Sequence, residues 1–462
     1  MTTAGARISP PPPEVGPAVE RPELVRPWVR SRRLRDGVRL NVRGRSIRVR
    51  GIRPLRSGPL AILGILGPGL IAATAGDDAG GIATYSQVGA QYGFSLLWVL
   101  LIITLSLAVI QETCARLGAA TGRGLLDLVR ERFGIGWTLF AIVVVLLANG
   151  GVIVTEFAGI GAAAELFGIH RLLAVPLAAA LLWYLVIRGT YSGVEKVFLV
   201  MTLAFFAYPV AAIVARPTWG DVLAGALEPT IRRDPGYLSL MVALIGTTIT
   251  PYMQLFQQSS VVEKGIPRRH YGPERADAYL GAAFSNLIAA SIVVAAGATL
   301  NAAGATDIQT AQDAARALEP AAGRAAQALF AIGLLGASLL AAGVLPLATA
   351  YSVSEAFGFR KGVNLSVRRA PIFVRVFSVL IIAGAAVALI PNLPLIRVLV
   401  GIQILNGCLL PILLVFVLLL INDRRLAGDL RNSWLQNVLG WGTVALVGSA
   451  VLVLLVTQAL NI

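Results

Sequence analysis

Apolar blocks of membrane-spanning length recur along this chain of 462 residues. A helix needs about 20 residues to cross the hydrocarbon core of a bilayer, so block length sets the fold class. With 56% hydrophobic and 14% charged residues, the chain is too apolar for a soluble protein of this size. We predict an all-α membrane protein with about eleven transmembrane helices, spans 1 to 11, at 59–92, 94–117, 138–166, 172–189, 195–215, 237–263, 278–300, 326–352, 372–390, 394–421 and 436–459.

The basic residues are concentrated before the first span. Residues 1–58 hold 14 arginines and 4 acidic residues, which is two thirds of the net charge of +15. We predict that residues 1–57 form a basic, disordered cytoplasmic arm and that residues 58–462 form the transmembrane domain. A basic segment beside the bilayer favours anionic lipid headgroups as its partner, and not nucleic acid.

The loops show a strong charge asymmetry. If the N-terminus is cytoplasmic, 32 of the 39 Lys and Arg residues fall in the arm and the inner loops, and 7 fall in the outer loops. Basic residues are retained on the cytoplasmic side of a membrane. We therefore expect a protein of the cell membrane with its N-terminus inside and its C-terminus outside.

Span 1 carries the sequence "ATAGDDAGGIAT" at residues 73–84. Three glycines within six residues weaken a helix, and an aspartate costs about 2.5 to 3.5 kcal/mol at the centre of a span. Span 6 has a second interruption at Pro251, which removes a backbone donor. Two spans broken near their middles, five apart, are typical of an inverted repeat of five spans plus five, with a binding site between the breaks.

The chemistry of the two breaks favours a cation. Unwound backbone offers carbonyl oxygens and Asp78 offers a carboxylate, whereas an anionic substrate would prefer exposed amides without an acid beside them. The two histidines, His170 and His270, lie in loops, and no nucleotide-binding motif is present. The sequence therefore argues against an enzyme, a bound cofactor or an ATP-driven pump.

The sequence "LGPGLIAATAGDDAGGIATYSQVGAQYGFSLLWVLL" resembles the first two spans of the NRAMP (natural resistance-associated macrophage protein) family of divalent metal transporters. "GTTITPYMQLFQQS" resembles the family's span 6, and the similarity extends over residues 58–431. The resemblance implies a LeuT-like inverted repeat that imports divalent metal cations by alternating access.

The family's Asp-Pro-Gly-Asn motif falls on residues 78–81, so Asp78 is kept and Gly81 replaces the asparagine. Its Met-Pro-His motif falls on residues 250–252, so Thr250 and Tyr252 replace the thioether and the imidazole. The resemblance implies main-chain ligands near Ala75 and Thr247, and a side-chain ligand at Gln403. Asp77 is a further candidate, either as a ligand or as an acid that holds water on the ion.

The substitutions change the expected ion. A thioether favours transition metals, so its loss leaves an all-oxygen ligand set that suits a harder cation, and Gly81 is expected to widen the pocket. The pattern is closer to the NRAMP-related magnesium transporter branch, with Mg²⁺ and/or Mn²⁺ as substrate. A proton-coupled Mn²⁺/Fe²⁺ symporter is the alternative, and an amino-acid transporter on the same scaffold is a more distant one.

Proton coupling is also expected to be weak or absent. Of the family's acidic positions in span 3, this chain keeps Glu156 and has Asn149 and Gly159 at two others. Glu156 and Tyr252 are the remaining candidates for a proton or vestibule role. A divalent ion moving inward through 100 mV gains about 4.6 kcal/mol, so uptake does not require protons.

Overall fold

A computed structural model describes residues 38–42, 45–49, 68–189, 191–232, 234–266, 271–306, 308, 310–316, 326–363, 365, 367–391 and 394–460. These residues divide into two units, one within Met1–Ala61 and one within Ile62–Ile462. In the first unit, strands β1 (Val38–Val42) and β2 (Arg45–Val49) pair antiparallel, with Leu40 opposite Ile47. Apolar and polar residues alternate from Val38 to Val42 and from Ser46 to Val49, which is the period of a strand. The disorder predicted for the arm stays a prediction, and the rest of the arm lies outside the described residues.

The described residues of the second unit contain helices and no strand. Nine helical segments there are long and apolar enough to cross a membrane. They correspond to predicted spans 2, 3, 4 and 6 to 11, and their bounds are Leu97–Thr121, Leu125–Leu166, Arg171–Arg188, Pro235–Lys264, Gly272–Asn301, Ala326–Phe357, Pro371–Ala388, Leu395–Asn422 and Trp434–Leu460. The prediction of an all-α membrane protein is confirmed.

The other two predicted spans are formed in pieces. Span 1 consists of helix 1a (Pro68–Ala75) and helix 1b (Ala79–Tyr92). Span 5 consists of Tyr191–Met201, the 3-10 turn Thr202–Phe206 and Ala207–Val214. Four shorter elements lie between spans: Trp219–Leu227, Ala311–Arg316, Arg424–Ala427 and the 3-10 turn Gly428–Leu430.

Residues Leu125–Leu166 form two helices that meet at Gly134, whose φ of 83° and ψ of 179° are not helical but are tolerated by glycine. The predicted span 3, at 138–166, corresponds to the second of these helices, which is apolar. The helix before Gly134 contains the charged residues Asp127, Arg130, Glu131 and Arg132, so hydropathy does not include it in the span.

Span 6 is broken, as predicted, between helix 6a (Pro235–Thr248) and helix 6b (Pro251–Lys264). The break falls where Pro251 begins a new helix, a position at which the missing N–H is no loss. Helix 6b ends at Gly265, which adopts the left-handed conformation with φ 65°. The two broken spans thus have the same design, a short unwound segment between two half-helices.

Helix 1a is held against span 7 by backbone contact and by a carboxylate. Asp277 accepts hydrogen bonds from the N–H groups of Gly69 (2.6 Å) and Leu70 (3.2 Å), which have no partner within the helix. A Cβ on Gly69 would lie 2.7 Å from the backbone of Ala278, and one on Gly281 would lie 2.6 Å from the Gly69 carbonyl. The small residues allow the two backbones to touch, so the position of helix 1a depends on span 7.

Span 11, beyond the two repeats, is fastened to span 2 by one buried arginine. Arg116 forms a salt bridge with Glu112 (3.2 Å) and donates hydrogen bonds to Asn432 (2.5 Å) and Gln436 (3.1 Å). Tyr271 donates a further bond of 2.7 Å to Glu112. Glu112 therefore joins neighbouring helices.

Candidate cation site at two broken helices

Asp78 lies at the break of span 1 and begins helix 1b. Its carboxylate accepts a hydrogen bond of 2.6 Å from the N–H of Gly81, which is the bond of an N-cap residue. The side chain has no exposed surface. A helix N-terminus favours negative charge, so the half-helix lowers the cost of a negative charge at this position.

Side chains from spans 6 and 10 converge on the same carboxylate. The amide of Gln403 donates to both Asp78 oxygens, at 3.1 and 3.4 Å, and Asn406 fixes that amide by donating to its oxygen at 2.8 Å. The Tyr252 hydroxyl lies 3.5 Å from Asp78 and donates a shorter bond to the carbonyl of Ala75. The structure therefore brings five of the candidate residues together: Ala75, Asp78, Gly81, Tyr252 and Gln403.

Both breaks release backbone carbonyls. In a continuous helix the Ala75 carbonyl would accept the N–H of Ala79, but that N–H donates to Glu156 instead, at 3.1 Å. The Thr247 carbonyl has no helical donor because the residue four positions later is Pro251. The two carbonyls expected at the site are thus the two that the breaks set free.

Glu156 is a fully buried residue of span 3 that touches the site through the backbone. One carboxylate oxygen accepts the Ala79 N–H, and the other lies 3.3 Å from the Thr155 hydroxyl. This bond connects span 3 to the first turn of helix 1b, next to Asp78. The sequence does not indicate this contact, because the two residues are 77 positions apart.

Thr250 is the N-cap residue of helix 6b, and its hydroxyl is buried without a hydrogen-bond partner. A hydroxyl in that state can accept a ligand without giving up an existing bond. Thr247 reaches across the break, with its hydroxyl 3.5 Å from the carbonyl of Gly76. Span 6 therefore contributes hydroxyl oxygens where the family motif has a thioether.

The expectation that Gly81 widens the pocket is wrong for this conformation. A Cβ at Gly81 would lie 2.8 Å from the Gly76 carbonyl and 3.0 Å from the Thr247 hydroxyl. The two unwound segments approach each other closely at Gly81, so their atoms fill the space that a side chain at this position would occupy. The small residue serves close approach and not a larger cavity.

Asp77 is fully buried, and neither of its carboxylate oxygens has a hydrogen-bond partner. None of the groups that hold Asp78 donates to Asp77. The adjacent aspartates therefore have different surroundings.

The site is an oxygen site of low charge. Within the described part of the chain, no group of three or more His, Cys, Asp and Glu side chains is placed to hold a metal. A carboxylate, an amide, hydroxyls and the carbonyls released by the two breaks offer hard oxygen ligands, which bind Mg²⁺, Ca²⁺ or Mn²⁺ more readily than soft metals. Among the residues whose burial is described, Arg116 is the one buried basic side chain, and it pairs with Glu112.

A buried set of oxygen atoms between two broken spans is typical of a helical membrane transporter. Residues 69–457 match the family described as "Natural resistance-associated macrophage protein-like". The chain belongs to this family.

Curated relatives agree with the family assignment. The chain is 31% identical over 411 residues to the divalent metal cation transporter MntH of Ralstonia nicotianae, covering 84% of this chain and 90% of that protein. It is also 31% identical over 394 residues to the protein of the same name from Deinococcus radiodurans, covering 82% and 86%.

Two solved structures share the fold. The manganese transporter of Eremococcus coleocola superposes with a TM-score of 0.70 at 19% identity, covering 87% of this chain and 88% of that one. MhsT in complex with L-phenylalanine superposes with a TM-score of 0.58 at 15% identity, covering 84% and 98%. The prediction of a LeuT-like fold is confirmed.

Proposed function

We propose that this protein imports divalent metal cations across the cell membrane by alternating access. The observation that carries the proposal is the Asp78 carboxylate, buried where both broken spans meet and held by Gln403 of span 10. An ionised group at this depth is costly, and a cation substrate offsets that cost. The metal is the substrate, and the mechanism requires no cofactor.

The proposed ligand set is Asp78, Thr250, Gln403 and the carbonyls of Ala75 and Thr247, with Gly81 lining the site. Every ligand atom in it is an oxygen once the Gln403 amide turns its carbonyl toward the ion, which breaks the hydrogen bond from Asn406. Such a set supports Mg²⁺ and Mn²⁺ as substrates, since both accept oxygen ligands and neither depends on a thioether.

A proton-coupled manganese transporter is the second candidate. It is favoured by the curated relatives and by the solved manganese transporter. Against it stands the chemistry of span 3, where Glu156 is engaged by the Ala79 N–H, and that of span 6, where Tyr252 replaces a histidine. An amino-acid transporter is disfavoured because no basic side chain in the described residues lines the site to bind a carboxylate.

Alternating access requires that the site open to one side at a time. Here Asp78 has no exposed surface, so this conformation is occluded. The inner ends of three spans are joined at Glu355, which accepts bonds from Ser259 of helix 6b (2.9 Å) and from the N–H of Leu126 (3.3 Å). Lys361 adds a salt bridge of 3.1 Å to Glu355. We assign this cluster to the closed inner face.

Orientation and lipid contact complete the proposal. The charge asymmetry of the loops supports a cytoplasmic N-terminus and an external C-terminus, which places the basic arm at the inner leaflet. Its arginines would bind anionic headgroups by electrostatic attraction. Co-sedimentation of a peptide of residues 1–57 with vesicles, with and without phosphatidylserine, tests this, and equal binding to both would contradict it.

The central experiment is cation flux into proteoliposomes under an imposed membrane potential. Mg²⁺ and Mn²⁺ uptake is followed with a metal-sensitive dye and proton movement with a pH dye, for the wild type, Asp78→Ala and the exposed control Asp429→Ala. We expect both ions to enter without acidification of the lumen. Asp78→Ala should reduce uptake at least a hundredfold, while Asp429→Ala should match the wild type.

Each outcome has a defined meaning. Persistent uptake by Asp78→Ala would refute the assignment of the site. Exclusion of Mg²⁺ together with Mn²⁺-dependent acidification would establish the proton-coupled manganese transporter. Uptake of an amino acid without any metal flux would show that only the scaffold, and not the substrate, is shared with the curated relatives.

A further inference from the structure

An apolar groove lies between span 2, helix 6a and span 11. Its volume is about 200 Å³, and ten of its eleven lining residues are apolar. The exception is Ser449, whose hydroxyl donates to the Leu446 carbonyl at 2.9 Å and is therefore already bonded. Such a surface offers water few hydrogen-bond partners, so it favours a hydrocarbon occupant.

The groove opens at the outside of the helix bundle. Ile102 of span 2 and Val453 of span 11 line it, and 40% and 46% of their surfaces are exposed. Both residues lie within helices that are long and apolar enough to cross the bilayer. Their exposed surfaces therefore face acyl chains of the membrane.

Aromatic residues indicate the depth of the groove. Trp98 lies in the first turn of span 2, and Tyr237 lies in the first turn of helix 6a, with its ring 5.1 Å from that of Tyr92. Trp and Tyr side chains are enriched at the membrane–water interface. From this level the lining residues of helix 6a extend from Leu238 to Ile245, a rise of about 10 Å. The groove thus runs from the headgroup level into the hydrocarbon core, on the outer side in the proposed orientation.

Two hydrogen-bond donors lie at the interfacial end of the groove. Trp98 lines it, and the buried indole N–H of this residue has no hydrogen-bond partner. Arg232 follows the lining residue Ile231 and is exposed. Its guanidinium carbon lies 5.8 Å from the ring centre of Tyr92 and 6.0 Å from that of Tyr237. A guanidinium held by aromatic rings at this depth suits a phosphate, which it can bind through two N–H groups.

Asp234 is the acidic residue near this arginine, and its carboxylate is already bonded. It accepts the Tyr92 hydroxyl at 2.5 Å and the N–H groups of Gly236 (3.3 Å) and Tyr237 (3.1 Å). These bonds belong to the start of helix 6a, where Asp234 is the N-cap residue. The donors of Arg232 are therefore the ones that an external phosphate can use.

We propose that the groove is a binding site for one anionic phospholipid of the outer leaflet. An acyl chain fills the groove, the Trp98 N–H donates to an ester carbonyl, and Arg232 binds the phosphate. A choline headgroup carries its own cation beside the phosphate, so Arg232 favours a headgroup without one. The lipid joins helix 6a to spans 2 and 11 and thereby stabilises the position of the half-helix that ends at the break of span 6.

The test uses the purified full-length protein in maltoside detergent, titrated with phosphatidylglycerol or phosphatidylcholine of identical acyl chains. Thermal unfolding is followed by tryptophan fluorescence, and bound lipid is counted by native mass spectrometry. We expect both lipids to raise the unfolding temperature saturably, with a half-maximal concentration about fivefold lower for phosphatidylglycerol.

Two variants separate the chain from the headgroup. Ala450→Phe fills the groove and should raise the half-maximal concentration of both lipids about tenfold, whereas Leu452→Phe, an exposed position of span 11 outside the groove, should match the wild type. Arg232→Gln should bind phosphatidylglycerol as weakly as phosphatidylcholine, and Arg397→Gln, at an exposed arginine of span 10, should keep the preference.

The groove is ruled out as the site if Ala450→Phe responds to lipid as the wild type does. The headgroup assignment is overturned if the wild type binds both lipids equally or if Arg232→Gln keeps the preference. If Ala450→Phe does not fold, Ser449→Phe, at an exposed lining position, takes its place with the same expectation. A dimer that dissociates in the groove variant, measured by light scattering, would show that a second copy of the chain covers the groove instead. These titrations contain no divalent metal, so their outcome is independent of the proposed cation site.

Discussion

Removal of the Asp277 carboxylate is the perturbation whose effect can be worked out most directly. The carboxylate binds the N–H groups of Gly69 and Leu70 at 2.6 and 3.2 Å, in a fully buried position between span 7 and helix 1a. A hydrogen bond to a charged group contributes about 1.5 to 3 kcal/mol, and buried donors left unpaired add to the loss. We expect Asp277→Ala to lower the free energy of unfolding by about 3 kcal/mol.

Asp277→Asn is the informative companion, since its amide keeps one acceptor oxygen. It should therefore lose about half as much stability as the alanine variant. Unfolding by SDS titration in mixed micelles, followed by tryptophan fluorescence, measures both variants beside the exposed control Asp429→Ala. Both variants should also import less cation, because helix 1a carries the Ala75 carbonyl to the site.

Two results would refute this reasoning. If the alanine and asparagine variants unfold at the same SDS concentration as the wild type, the bonds from Asp277 do not stabilise helix 1a. If asparagine is as damaging as alanine, the negative charge matters and the count of acceptor oxygens does not.

Three further predictions test other parts of the structure. Gly81→Ala places a methyl group 2.8 Å from a carbonyl of the break and should weaken divalent binding about tenfold, whereas Gly401→Ala, with open space around it, should have no effect in the same titration. Glu112→Gln leaves its buried arginine partner without a counter-ion and should cost about 3 kcal/mol or more of stability by SDS titration; a smaller loss would mean that neutral partners suffice. The hydrogen bond from Tyr92 lowers the pKa of Asp234, so the bond stabilises the fold above the ordinary carboxyl pKa and is lost as pH falls through the lowered value. The difference in unfolding temperature between wild type and Asp234→Asn should disappear at low pH, and a constant difference would contradict the assignment.

The sequence predicts those features of the fold that have local causes. Apolar length defines the spans, glycines with aspartates mark the first break, and Pro251 marks the second. The sequence also predicts a functional role for Asp78, because an acidic residue in an apolar span is costly unless a partner offsets its charge. The structure adds that the same residue caps helix 1b.

Contacts between distant segments were not predictable in the same way. Asp277 and Gly69 are 208 residues apart, and nothing in the pattern around an acid in span 7 indicates a cap for span 1. The bond between Glu156 and the Ala79 N–H is hidden for the same reason, since backbone donors carry no sequence signature. The closure over Gly81 depends on how two unwound segments approach each other, which residue types alone do not fix.

The buried arginine of span 2 has a consequence for synthesis. Arg116 precedes its partners around span 11 by 315 to 320 residues. At an elongation rate of about 5 to 20 residues per second, the ribosome needs on the order of tens of seconds to produce them. Throughout that interval Glu112, one helical turn earlier, can hold the arginine as a local ion pair while the span enters the bilayer. Insertion of span 11 therefore completes the packing of span 2. A nascent chain that stops before residue 431 leaves the Arg116 guanidinium without these hydrogen-bond acceptors.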